Sequence, residues 1–314
     1  MGTGMEQKLL SVEYERRTMQ LPDGFLQSEY RDGYLVDETM KKVWAVELEL
    51  LEQFQRLCER HQLRYYAIGG TLLGAVRHKG FIPWDDDIDV GMPREDYDRF
   101  LRLCEKEIEY PYRLVTPMND ACYRAHAQIR HCETTGYPMV DEKLACNKGI
   151  FIDIFPLDGV ADRTAAFGFQ MLQMKLLNRV LVNYYYFDTK HENPPWIKLM
   201  FHRAVCAIIR IFGAKRVYAC YDRIAARYSG NNTKKLGEIS LLFDDSRYHW
   251  PIEVFEETVF LPFEHLKIAA PKGWDRFLTH TFGNYMEIPE NKKERALHAD
   301  MVFDQEKPYD RATR

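Results

Sequence analysis

The chain has 314 residues, 46% of them hydrophobic and 13% aromatic, and a net charge of −4. That much apolar material supports a substantial core and excludes a disordered chain, while a pI near 6.2 argues against nucleic acid as a partner. No apolar run reaches the roughly eighteen residues of a membrane span, and the N-terminus lacks a signal-peptide pattern, so the expected location is cytoplasmic.

Residues 1–35 are polar and irregular, with a Pro22-Asp-Gly24 turn, and are expected to form an N-terminal arm. From Asp37 to His61, Val43, Val46, Leu48, Leu50, Leu51, Phe54 and Leu57 recur at the spacing of an amphipathic helix. Arg64 to Ile68 reads as a short strand. Gly69 and Gly70 then permit the unusual backbone angles and close approach of a phosphate-binding turn. Thr71 is the expected N-cap of a helix over Leu72 to Val76, whose free amides and positive dipole end suit an anion. Arg77 and Lys79 would add charge-assisted contacts to the same phosphates.

The run Trp84-Asp-Asp-Asp-Ile-Asp-Val90 follows. Read as a strand, it places Asp87 and Asp89 on one face and Ile88 and Val90 on the other. Like charges so close need neutralising, and hard oxygen ligands beside a phosphate cradle select Mg2+ or Mn2+. A solvated acidic loop, with Arg77 and Lys79 simply pairing with it, is the plainer alternative.

Pro93 to Cys104 predicts a helix with proline near its first position and acids in its first turn. Tyr112 to Val115 and Tyr123 to Ile129 read as strands. Gly149 to Gly159 is a strongly apolar run of strand length with one interior charge, Asp153, which must be paired or metal-bound. Asp158, beyond Pro156 and beside Gly159, reads as a turn or capping residue. Seven cysteines form no CxxC pair, and reduced thiols are expected. Cys122, His126, His131, Cys132 and Cys146 crowd one region, where a structural zinc is conceivable although the spacing fits no standard pattern.

Residues 163–235 hold 13 Lys and Arg against 3 Asp and Glu, a net of +10, and the remainder carries −14. Trp196 to Phe212 is helix-compatible, with Lys198, His202, Arg203 and Arg210 on one arc and apolar residues elsewhere. The plain reading is a helical subdomain packing its apolar faces on a core. The other is a surface for an anionic acceptor or for peripheral contact with the inner face of the membrane. The last segment offers Val259 to Phe263 as a strand and a helix near Gly273 to Phe282, and ends its charged run at His298.

The gapless run from Tyr66 to Met92 resembles the signature of the LicD/fukutin family; the resemblance is strong over residues 40–100, good over 149–160 with its Phe155-Pro-Leu-Asp158 strand end, and loose over 257–303. The resemblance implies an α+β fold, a nucleotidyltransferase-like mixed β-sheet covered by helices; the added basic helical subdomain is expected from the composition of residues 163–235 alone. The expected divisions are a core over 36–160, helices over 161–250, and a closing segment over 251–314 packing back on the core. It further implies Gly69, Gly70 and Thr71 as the phosphate turn, aided by Arg77 and Lys79. Asp87 and Asp89 match the metal-binding pair and Asp153 the third carboxylate, around Mg2+ or Mn2+. The activity implied is transfer of phosphocholine, or a related substituted phosphate, from a CDP-alcohol donor such as CDP-choline. The acceptor is a sugar of a glycan or lipid-linked glycan, of teichoic acid or lipopolysaccharide. Attachment of a nucleoside monophosphate, and a non-catalytic metal-binding role, are the alternatives.

Overall fold

The computed structural model describes residues 20–190, 194–230, 233–242, 245–289 and 301–308. Residues 1–19 of the expected arm, and His298, lie outside the described residues. A hairpin of β1 (Glu29–Arg31) and β2 (Tyr34–Val36) leads into α1 (Glu38–His61), β3 (Tyr66–Ala67), α2 (Gly69–Arg77), β4 (Asp89–Pro93) and α3 (Arg94–Glu107). Next come β5 (Tyr112–Val115), β6 (Ala127–His131), β7 (Thr135–Pro138) and β8 (Ile150–Gly159). Three helices follow, α4 (Thr164–Lys190), α5 (Trp196–Phe212) and α6 (Ala214–Ala225). The chain closes through β9 (Lys235–Gly237), β10 (His249–Pro251), β11 (Thr258–Phe263), β12 (Leu266–Pro271), α7 (Trp274–Phe282) and β13 (Met301–Asp304).

The first long helix forms where its pattern places it. The Asp37 carboxylate caps it by accepting the Met40 amide at 2.8 Å, and Gln62 ends it in the left-handed region. Its buried stripe, Met40, Val43, Trp44, Leu48, Leu51 and Phe54, packs over β6 and β8. Trp44 stacks on Phe81 with ring centroids 4.5 Å apart.

The central sheet has the order β10-β9-β8-β4-β3, with β6 and β5 branching from β8. One edge of β8 pairs parallel with β4; antiparallel pairing with β6 ends at Ile154 and that with β9 begins at Asp158. Mixed pairing with helices packed on the sheet is the α+β class expected. A main core fills the space between this sheet, α1, α3 and the β11–β12 hairpin. A second apolar cluster joins α4, α5 and α6 to Tyr123, Val160 and Ile239.

Three local expectations change. Asp158 is not a turn residue but lies inside β8 at 0% exposure. The strand runs through Pro156 because the Asp153 amide points to β4, so alternation turns the Pro156 nitrogen to the other edge, in the gap between β6 and β9 where no donor is needed. Regular structure in the acidic run starts only at Asp89, so Asp87 precedes the strand. Tyr123 belongs to the helical cluster, and β6 begins at Ala127.

Asp158 is neutralised by Arg94, which donates to both its oxygens at 2.7 and 2.8 Å and to Asp222 of α6 at 2.8 Å. This fork ties β8 to the helical cluster. Arg94→Met leaves Asp158 buried without its cation and with only the Ser229 hydroxyl as donor, and is expected to cost about 3–5 kcal/mol, read as a fall in the urea midpoint.

Candidate active site

The turn after β3 is built around missing side chains. Gly69 has φ +53°, and a Cβ there would sit 3.5 Å from Asp89 Oδ2, while one on Gly70 would come within 2.7 Å of Asp85 Oδ2. Carboxylates therefore stand beside the N-terminus of α2; at Gly70 the approach of Asp85 leaves no room for a side chain, while at Gly69 the positive φ is what favours glycine. Thr71 does not cap this helix. Ile68 occupies the N-cap without a side-chain bond, and Thr71 Oγ1 instead accepts the Asp89 amide at 2.8 Å. The helix starts three residues early, so the threonine lies within its first turn and bonds across to β4.

Parallel pairing of β4 with β8 puts Asp89 in register with Asp153, and antiparallel pairing of β6 puts Gln128 in register with Asp153. Directly opposed residues share a sheet face, so Gln128, Asp153 and Asp89 form a row across three strands. Asp153 Oδ1 accepts Gln128 Nε2 at 2.6 Å and lies 2.8 Å from His126 Nε2. The His126 ring packs on Phe155, centroids 4.3 Å apart. His126 is thus committed to Asp153 and not to a cysteine cluster.

The electrostatics separate the two aspartates. Burial, then the charges of Asp87, Asp153, Asp85 and Glu238, pushes Asp89 well above the usual carboxylate range. Burial would raise Asp153 as well, but the charge and hydrogen bond of His126 and the Gln128 amide hold it below its ordinary value. Glu238 is itself pushed up to about 8 by burial. Glu47 of α1 is 1% exposed, and burial and the charges of Asp87, Asp86, Asp85 and Asp153 raise it strongly. Its Oε2 has no hydrogen-bond partner. An all-oxygen, anionic set with an orphaned buried carboxylate oxygen suits a hard divalent cation. Among the described residues, no three of these carboxylates bring one oxygen each within 4.8 Å of one another.

Glu47, His126, Gln128 and Glu238 were not singled out from the sequence for this site. Glu47 had a readable signal, a lone acid within the apolar stripe of α1. The other three are brought in by strand register and loop path. Arg77 and Lys79 lie at the far end of α2, about 12 Å along the axis from the turn. Arg77 donates to the carbonyls of Tyr285 and Glu287 at 2.9 and 3.2 Å, and Lys79 is exposed with φ +59°. Of the cysteine region, Asp120, Cys122 and Cys146 converge within 4.8 Å, with the Arg124 guanidinium 2.9 Å from Cys122 Sγ; Cys132 instead takes the Asn147 amide.

Residues 62–170 match the family model described as LicD/FKTN/FKRP, nucleotidyltransferase domain. The chain is 28% identical over 271 residues to the lipopolysaccharide cholinephosphotransferase LicD of Haemophilus influenzae, covering 84% of this chain and 98% of that protein. A short stretch of 34 residues is 56% identical to the human ribitol 5-phosphate transferase FKRP, 11% of this chain and 7% of that protein. An uncharacterized protein of Rickettsia typhi is 37% identical over 95 residues, 28% of this chain and 31% of that protein.

Two substitutions probe this geometry without any ligand. Thr71→Val leaves the buried Asp89 amide without its acceptor and is expected to cost about 1–3 kcal/mol in chemical denaturation. Glu47→Gln removes a carboxyl whose folded pKa lies above its unfolded value near 4.5. Such a group destabilises the fold increasingly as pH rises past 4.5. In a chelating buffer the variant should therefore melt higher than wild type at pH 8, with a smaller gain at pH 5; an equal or lower melting temperature at pH 8 contradicts the assignment.

Proposed function

Because this chain belongs to the LicD/FKTN/FKRP family, we propose that it transfers phosphocholine, or a closely related substituted phosphate, from a CDP-alcohol such as CDP-choline to a sugar hydroxyl. The phosphotransferase class follows from the kinship. A cell-surface glycan acceptor is favoured by the Haemophilus influenzae relative, named for lipopolysaccharide; teichoic acid is the other polymer of this kind. The observation that carries the reading is the in-register pair Asp89 and Asp153, with Asp89 beside Gly69 of the glycine turn.

Asp87, Asp89 and Asp153, flanked by Glu47, would hold one or two Mg2+ or Mn2+ ions, whose charge neutralises the diphosphate and stabilises the attacking and leaving oxygens. The first turn of α2 offers its backbone amides to the diphosphate, with Gly69 and Gly70 removing the side chains that would bar approach. The acceptor oxygen attacks the phosphorus that bears the alcohol. The bond from that phosphorus to the oxygen of CMP breaks, and CMP leaves with the electron pair. Asp153, kept ionised by His126 and Gln128, accepts the hydrogen bond of the acceptor hydroxyl and then its proton, which passes to water. His126 is a positioning residue, since it fixes the carboxylate and not the substrate.

Release of CMP from CDP-choline with candidate acceptor sugars is the test. Asp89→Asn and Asp153→Asn should each lower turnover by roughly a thousandfold or more with the circular dichroism spectrum retained, and near-normal turnover in either variant overturns the assignment. Chelation should abolish turnover and Mg2+ restore it. His126→Gln should raise the Mg2+ concentration for half-maximal activity roughly 10–100-fold, the effect expected when the partner of a metal-ligating group is lost. Pyrophosphate released from a nucleoside triphosphate, in place of CMP, would assign nucleotidyl transfer instead.

A further inference from the structure

A cavity among the described residues lies away from the carboxylates. It is a space of about 640 Å3 between α4 and α5, lined by Arg179, Tyr186, Phe187, Ile197, Lys198 and Phe201 among others. The surface around it inverts the usual amphipathic rule. In α5 only Val205 and Ile209 are buried, and His202 faces inward, its ring stacked 4.0 Å from Phe187 and its Nδ1 3.0 Å from Asn183. The opposite arc of about 160° at 100° per residue runs through Trp196, Met200, Ile211, Ile197, Ile208, Phe201 and Phe212 without a charge. Trp196 is 71% and Ile211 72% exposed. Exposed Phe169, Leu172 and Leu176 of α4 share this character. Of the 22 large hydrophobic residues exposed among the described residues, 11 fall within 163–235. Soluble surfaces rarely concentrate apolar area in this way without a partner.

Charge identifies the partner. Arg203 and Arg210 border the arc, Lys175, Arg179 and Lys198 are exposed on the same two helices, and Lys215 and Arg216 are exposed at the start of α6. The region carries +10, and of its three acids Asp222 is bound to Arg94 and Glu192 lies outside the described residues. We propose that the outward face of α4 and α5 rests on the surface of an anionic bilayer, with aromatic and aliphatic side chains in the headgroup boundary and the cations on lipid phosphates. A second copy of the chain fits poorly, because it would bring two +10 surfaces together. No helix of the described residues is long and apolar enough to cross a membrane, so the contact lies along the surface. Tyr186, in the cavity wall, donates to the Tyr123 carbonyl at 3.0 Å, three residues before His126. The lipid face and the catalytic loop are thus held together. That the bilayer also presents a lipid-linked acceptor rests on the transferase reading; the lipid contact does not.

Trp196 gives a direct probe, since Trp44, Trp84 and Trp250 are buried and Trp274 is half-buried. Vesicles of phosphatidylcholine with about one third phosphatidylglycerol should shift its emission to the blue and carry the full-length protein down on sedimentation, while pure phosphatidylcholine should not. Trp196→Phe should abolish the shift but keep sedimentation. Arg203→Gln with Arg210→Gln should weaken binding to anionic vesicles roughly 30-fold, and Ile211→Asp at least as much. Emission unmoved by anionic vesicles, equal binding to neutral ones, or a solution dimer that already shields Trp196 overturns the proposal. None of these readouts needs turnover, so a failure of the transferase reading registers separately, as absent CMP release.

Discussion

The constraint on which the rest of the molecule depends is the parallel registry of β4 with β8. It opposes Asp89 to Asp153 on one sheet face and turns a charge penalty into a site. Every neighbouring element answers that penalty differently. The glycine turn leaves out a side chain at Gly70, where it would meet Asp85, and takes a positive φ at Gly69 beside Asp89. Gln128 and His126 stabilise one carboxylate as an anion, while the other, without such donors, is forced toward its protonated form. Glu47 adds a further acid from the helix above, buried and short of one partner. A fold free of function would not gather these groups in a core, because each costs free energy that apolar side chains would not.

The same strand solves a second problem five residues on. Asp158 faces Arg94 and, through it, Asp222 of α6, so β8 carries one acid for chemistry and one for architecture. The difference lies in the partner. A bidentate guanidinium closes the Asp158 site to solvent and ligand, whereas Asp153 shares one oxygen between two neutral or titratable donors and keeps its place beside Asp89. Through Arg94 and through the Tyr186 to Tyr123 hydrogen bond, the basic helices are fastened to the sheet at points close to this strand. Their outward apolar face is then a fixed surface and not a loose appendage.

Local chemistry was legible in the sequence wherever spacing or residue type alone dictated it. The α1 stripe, the glycine turn, the Asp-X-Asp pair and the isolated Asp153 all announce themselves, because helical periodicity, a backbone without Cβ and a charge in an apolar strand have few other meanings. The α+β class follows from the order of these elements. Asp158 was misplaced because the proline before it masked a continuing strand, and only the gap between β6 and β9 shows why that proline is harmless.

What the sequence could not hold is set by register and by facing. Gln128 and His126 meet Asp153 because two strands align across 25 and more residues of chain, and no local pattern encodes that alignment. The apolar arc of α5 reads as a buried face by periodicity, since a hydrophobic stripe carries no label for which side is inside. Packing of His202 against Phe187 and Asn183 decided it, turning the stripe outward. The sequence by itself determined which chemical groups are available. Tertiary structure alone decided which of them meet and which face water, because pairing distance and burial are properties of the assembled chain.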